Sequence, residues 1–177
     1  QNYSTNVYWG DTHLHTNLSM DAYNFGNKEL GPEQAYQFAK GKTVIANNGM
    51  KARLQRPLDF LVIADHATNM GVMNGLERQD SIFLETEIGR RWLKRLGTIN
   101  EVEKTDVIKA NKLSDELLLD GFIEGRIARD KYNHSVWKEV SELADKHNDP
   151  GIFTAFIGYE WTSWYYSLHR VVIFKDN

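Results

Sequence analysis

The chain contains no cysteine, so disulfides, thiolate metal ligands and a cysteine nucleophile are all excluded. It has no run of 18 apolar residues, which rules out a membrane-spanning helix. Charge of one sign is lacking as well: 21 Lys and Arg stand against 24 Asp and Glu, a formal net charge of −3. Such a balance gives no field that would recruit nucleic acid or an anionic membrane. Internal repeats and low-complexity linkers are missing, and one domain is expected over residues 1–177. No signal peptide is visible, yet the chain starts at Gln1 rather than Met. That fits a periplasmic or secreted protein whose export signal has been removed, or a boundary chosen to imitate one. What the chain does have is apolar bulk. Hydrophobic residues make up 41%, with eight Phe, eight Tyr and five Trp, enough for one sizeable core.

The stretch Trp9-Gly10-Asp11-Thr12-His13-Leu14-His15-Thr16 follows Asn6-Val7-Tyr8 and reads as a strand running into a loop. Side chains two apart on a strand share a face, which places Asp11, His13 and His15 together. Two neutral imidazoles side by side suit a cation between them, and zinc, manganese and iron accept such ligands. Asp11, one pleat back, is positioned to accept the far N–H of a ligating ring. Taken alone, His13 and His15 also fit a surface pair at a strand end, so partners elsewhere must decide.

Those partners sit at the ends of other predicted strands. Pro57 to Ile63 is a nearly continuous apolar run that continues into Ala64-Asp65-His66, as in a strand of a parallel sheet buried on both faces. In α/β folds the C-terminal ends of such strands carry the sites. Ile152 to Tyr159 predicts a third strand ending in Glu160-Trp161-Thr162, and Leu168 to Phe174 a fourth. Too few residues separate Glu160 from His169 for a helical crossover, so an antiparallel hairpin is expected. It would bring Glu160 and His169 to the same sheet end as His13, His15 and His66. A plain cross-strand Glu–His pair is the alternative.

Between these strands, Thr16 to Gly31 reads as a Gly-punctuated loop containing Ser19-Met20-Asp21. Gly31-Pro32-Glu33 opens a short helix with an Ala35, Phe38, Ala39 stripe, ended by Gly41. Asn47-Asn48-Gly49 signals a turn. Residues 76–148 carry helical periodicity in three sets: Leu84, Ile88, Trp92, Leu96; then Val107, Ala110, Leu113, Leu117; then Val136, Val140, Leu143, His147. Breaks are expected at Gly97 and at Gly121 to Gly125. The block reads as a helical insertion covering the sheet, in which His134 and His147 are structural.

Taken in order, Gly10 to Thr16, Asp65-His66, Gly158 to Trp161 and Leu168-His169 resemble the first three motifs of the PHP superfamily, the polymerase and histidinol phosphatase type of metallohydrolase. Arg56 to Phe60, Ala64 to Ala67, Tyr159 to Ser163 and Leu168 to Arg170 are closer still to an exported bacterial branch known as domain of unknown function 3604. The resemblance implies an α/β fold, the N-terminal part of a distorted TIM-type (β/α)7 barrel with the helical insertion at about 76–148. It implies a cluster of two or three divalent ions (zinc, manganese or iron). His13 and His15 would bind the first ion, Glu160 would bridge the first and second, and His169 would serve the second. His66 and Asp21 would serve the third. Glu160 and His169 would be the catalytic residues, while Asp11 and Asp65 would orient the ligating rings.

The superfamily's later motifs, a further His and a terminal Asp-x-His, have no counterpart in the chain. The C-terminal remainder of a larger protein is therefore an expected partner. The implied function is a metal-dependent phosphoesterase acting on a small-molecule phosphoester. Amide or lactone hydrolysis at the same metals, or a metal-stabilised binding module without catalysis, are the rivals.

Overall fold

A computed structural model describes residues 5–123, 126–163 and 168–175. The architecture is mixed α/β, built on a curled half-barrel sheet. Strand β1 is Gly10–Leu14, β4 is Phe60–Ile63, β5 is Thr154–Ser163 and β6 is Leu168–Phe174. Their spatial order is β1-β4-β5-β6. The first three are parallel, and β6 returns antiparallel to β5, as the short connection requires. A small antiparallel pair, β2 (Val44–Ile45) and β3 (Lys51–Ala52), flanks the Asn47-Asn48-Gly49 turn.

The central position of β4 explains its sequence. Leu61, Val62, Ile63 and Ala64 are all buried, because both faces and both edges of the strand are covered. Gly158 is required where β5 crosses beside it, since a Cβ there would lie 2.6 Å from Val62 Cγ1 and 2.8 Å from the Val172 carbonyl oxygen. The start of β1 is equally tight, with Phe60 2.4 Å from where a Cβ on Gly10 would be.

Helix α2 (Pro32–Ala39) has Pro32 at its first turn and packs on the sheet through Tyr36 and Ala39. Between β1 and α2, the expected loop contains a helical turn, α1 (Met20–Asn24), that buries Tyr23. It is too short for periodicity to reveal. Helices α3 (Val72–Glu77), α4 (Ser81–Leu84), α5 (Glu87–Glu103), α6 (Val107–Ile123) and α7 (Arg126–His147) follow β4. Gly97 does not break a helix as expected but lies inside α5. Its surroundings are open, and one Gly in an exposed helical position costs only about 1 kcal/mol. The chain turns instead at Lys104 to Asp106, where Asp106 Oδ1 accepts from the Lys109 N–H at 2.9 Å and caps α6. The other expected break, Gly121 to Gly125, ends in residues outside the described ones.

Two apolar clusters result. One lies within the helical block, around Phe83, Trp92, Leu96, Leu117, Tyr132 and Val136. The other seals the sheet beneath α2 and α7, with Leu61, Ile63, Ala144, Phe153 and Ile157. Helix α7 contributes to both and so ties the block to β5. His147 at its end is buried, stacked on Tyr36 at 4.8 Å between centroids, with Nε2 3.0 Å from Glu33 Oε2. That is a structural role, as its sequence position suggested. Among the described residues no helix is long and apolar enough to cross a membrane.

Candidate metal centre

The parallel strands β1, β4 and β5 bring their C-terminal ends together, and the candidate residues meet there. His13 is on β1 and His15 just beyond it; Asp65 and His66 follow β4; Glu160 lies on β5 and His169 on β6. Asp21 comes from α1. Strand β5 runs past its expected end to Ser163, because β6 pairs with it along its length. Glu160 is thus held inside a ladder on one side. On the other side the Glu160 N–H donates to the Asp65 carbonyl and the Ala67 N–H donates to the Glu160 carbonyl, each at 3.0 Å.

Glu160 is the hub. Its side chain is 2% exposed. Oε1 lies 3.0 Å from His13 Nε2 and 3.2 Å from His169 Nδ1. Oε2 lies 3.1 Å from His15 Nε2 and 3.0 Å from His66 Nδ1. The contact with His15 is not a hydrogen bond, however. His15 Nε2 and Glu160 Oε2 are both buried without a hydrogen-bond partner. Two facing buried lone-pair atoms are costly unless something positive satisfies both. Ligands about 2.1 Å from one ion stand about 3.0–3.4 Å apart at octahedral or tetrahedral angles, which matches these spacings. Three groups of donors lie within 4.8 Å of one another: His13, His15 and Glu160; His15, Asp21 and His66; His66, Glu160 and His169. All donors are nitrogen or oxygen, the set that suits zinc, manganese or iron. The residues present fit the divalent ions that the family resemblance implies.

The orienting roles differ from those expected. Among the described residues Asp11 touches no ring; its Oδ1 accepts from the His13 backbone N–H at 2.8 Å and braces the strand, because β1 is irregular there. The carboxylate that orients a candidate ring is Asp21. Its Oδ2 is 2.8 Å from His15 Nδ1, and since a carboxylate only accepts, Nδ1 carries the hydrogen and Nε2 faces Glu160. Ser19 Oγ, fully buried, donates to Asp21 Oδ1 at 2.5 Å. Asp65 does not reach the His66 ring either. It accepts from the Thr16 N–H and from Thr16 Oγ1 at 2.7 Å, clamping the exit of β1 to the exit of β4. It places His15 and His66 through the backbone.

These contacts shift the titrations. Burial would raise the Asp21 carboxyl, but hydrogen bonds from His15 and Ser19 outweigh it and hold it well below the usual carboxylate range. Burial would lower His15, yet the Asp21 hydrogen bond and charge raise it above the ordinary value. His66 is lowered, mainly by burial. Burial pushes Asp65 up to about 6 despite the Thr16 hydrogen bonds.

Sequence reasoning missed Thr16, Ser19 and Thr162 as site residues. Thr162 carried a usable signal, since it follows Glu160 by two and shares its face of β5. The opposite face carries Ile157 and Tyr159, which with Trp137 and Phe174 line an apolar cleft of about 460 Å³ behind the strand. None of the six candidate ligands lines that cleft.

The fold and the cluster together define a mixed α/β protein with a histidine–carboxylate cluster around a buried Glu160 at the parallel strand ends. The chain belongs to the family described as protein of unknown function (DUF3604), which it matches over residues 2–177. No curated protein and no solved structure matches it.

Proposed function

We propose that this protein is a metal-dependent hydrolase of the PHP type, a phosphoesterase whose histidine–carboxylate cluster holds two or three divalent ions. The observation that carries the proposal is the convergence of four imidazoles on one buried carboxylate, with two facing atoms left without hydrogen bonds. In this reading the curled sheet is the N-terminal part of a distorted TIM-type barrel. His13 and His15 hold one ion with Glu160, His169 holds a second with Glu160, and His66 and Asp21 hold the third. Bound there, zinc, manganese or iron would supply activated water and neutralise charge on a phosphoryl group.

The chain's own residues contribute placement. Glu160 Oε1 lies against both His13 and His169, the histidines assigned to different ions, so the one carboxylate can serve both. Asp21 and Asp65 fix His15 and the backbone around it before any ion arrives, which is the preorganisation that such catalysis needs. His13 and His169 are the half-exposed members, at 49% and 43% of their side chains, against 16% for His15 and 14% for His66. Substrate would therefore approach across His13 and His169, with His15 and His66 behind them and Asp21, 39% exposed, at the edge.

Elemental analysis of the purified protein tests the metal, and parallel panels of phosphoesters, amides and lactones test the chemistry. The folded double variant His13→Ala, His15→Ala should lose bound metal and phosphoester turnover. Unchanged stoichiometric metal in that variant would refute the proposal. Metal without turnover on any panel would point to a binding module instead.

A further inference from the structure

Thr162 stands directly opposite His169 in the β5–β6 ladder. Its Oγ1 lies 2.7 Å from His66 Nδ1 and 3.3 Å from His169 Nδ1, so one hydroxyl touches two of the four histidines. His66 Nδ1 has a second neighbour at comparable range, Glu160 Oε2 at 3.0 Å. That oxygen nevertheless makes no hydrogen bond. The ring is turned so that its Nδ1 bonds to the hydroxyl and not to the carboxylate.

The consequence is a choice of ligand atom. A neutral imidazole carries one hydrogen, and the nitrogen that carries it cannot ligate. With Nδ1–H given to Thr162, His66 presents Nε2, which lies 3.7 Å from Asp21 Oδ2. Glu160 Oε2 is then spared a proton and stays open toward His15 Nε2 at 3.1 Å. We infer that Thr162 is a positioning residue: its hydroxyl takes the Nδ1–H of His66, so that His66 ligates on the Asp21 side and Glu160 remains free for the other histidines. The role presupposes the metal-centre reading proposed above.

Removing the acceptor should send the His66 hydrogen to Glu160, blocking the hub and turning Nε2. Thr162→Val keeps the branched shape without the hydroxyl, and Thr162→Ser keeps the hydroxyl. Two measurements separate the possibilities. In metal-free protein at about pH 8, where neutral imidazole dominates, ¹⁵N shifts of the histidine side chains should show His66 as the Nδ1–H tautomer. In the hydroxyl-free variant the ring should change its hydrogen-bond partner, with Nδ1–H proton and ¹⁵N shifts moving toward those of a carboxylate-bound imidazole. Calorimetric titration with Zn²⁺ should show affinity weakened roughly 10–100-fold in Thr162→Val, as losses behind a ligand do, and restored by serine. Thr162→Ala replaces the valine variant if valine disturbs the strand. Unchanged His66 shifts in a folded hydroxyl-free variant would overturn the inference. A wild-type protein that binds no Zn²⁺ or Mn²⁺ would instead refute the metal-centre reading, and the shifts in metal-free protein would still decide the hydrogen bond.

Discussion

Replacing Glu160 by Gln should stabilise the metal-free protein while crippling its metal binding. The side chain is 2% exposed, and Oε2 faces His15 Nε2 with neither atom hydrogen-bonded. An unsatisfied buried polar atom costs about 1–3 kcal/mol. The Gln amide can donate to His15 Nε2 across the same 3.1 Å, so one change relieves both atoms and removes a buried charge. A gain of about 1–3 kcal/mol follows, which for a chain of this size is a rise of roughly 2–12 °C in Tm. With metal the balance changes. Glu160 belongs to two of the three donor groups, and an amide is a much poorer ligand than a carboxylate. If affinity falls about 100-fold, the stabilisation at a metal concentration of about 1,000 times the wild-type Kd drops from about 4 to about 1.4 kcal/mol. Thermal melts with chelator and with Zn²⁺, paired with calorimetric titration, read both quantities. A variant that melts below wild type in chelator, yet gains the same increment from metal, would refute the reasoning.

Asp21→Asn should weaken metal binding by roughly 10–100-fold, because both Asp21 oxygens are engaged, one by His15 Nδ1 and the other by Ser19 Oγ and the Ala22 N–H, and an amide keeps only one acceptor. Asp11→Asn keeps the single oxygen that the His13 N–H uses and should change affinity less than about threefold, and titration of both variants checks the contrast. Glu33 is held down to about 2 by hydrogen bonds from His147, Gln37 and Lys146, outweighing the upward push of burial. Its folded pKa is below the unfolded one, so its stabilisation is fully present above about pH 4.5 and lost as pH falls toward 2. Wild type should therefore lose more stability than Glu33→Gln between about pH 5 and 2 in denaturant titrations, and parallel losses would show that the pair linking α2 to α7 contributes nothing. Gly97→Ala should raise stability by about 0.5–1 kcal/mol, since the added methyl meets nothing within 4 Å inside α5, and a lower Tm would mean that the position needs glycine.

Much of the site was legible because strand periodicity and strand-end position act locally. His13 and His15 two apart, His66 after a fully apolar run, and a hairpin too short for a crossover were enough to gather the candidate ligands at one sheet end. The short helix carrying Asp21 escaped because one turn leaves no periodic trace. Gly97 misled because glycine weakens a helix by too little to break one that is packed along its length on Trp92, Leu96 and Ile99.

Residue types and their spacing determined the alternation of strand and helix, the buried centre of the sheet and the donor atoms offered at its end. They left open which carboxylate serves which ring. Asp11 is nearest to His13 in the chain, but β1 is irregular there and spends that side chain on its own backbone. Asp21 reaches His15 only because α1 folds back over the strand end, and Thr162 reaches His66 only because β5 lies beside the exit of β4. Hydrogen bonds act over about 3 Å, while neighbours in sequence set only the direction in which a side chain leaves the backbone. The pairing of each imidazole with its orienting group was therefore decided by the tertiary structure.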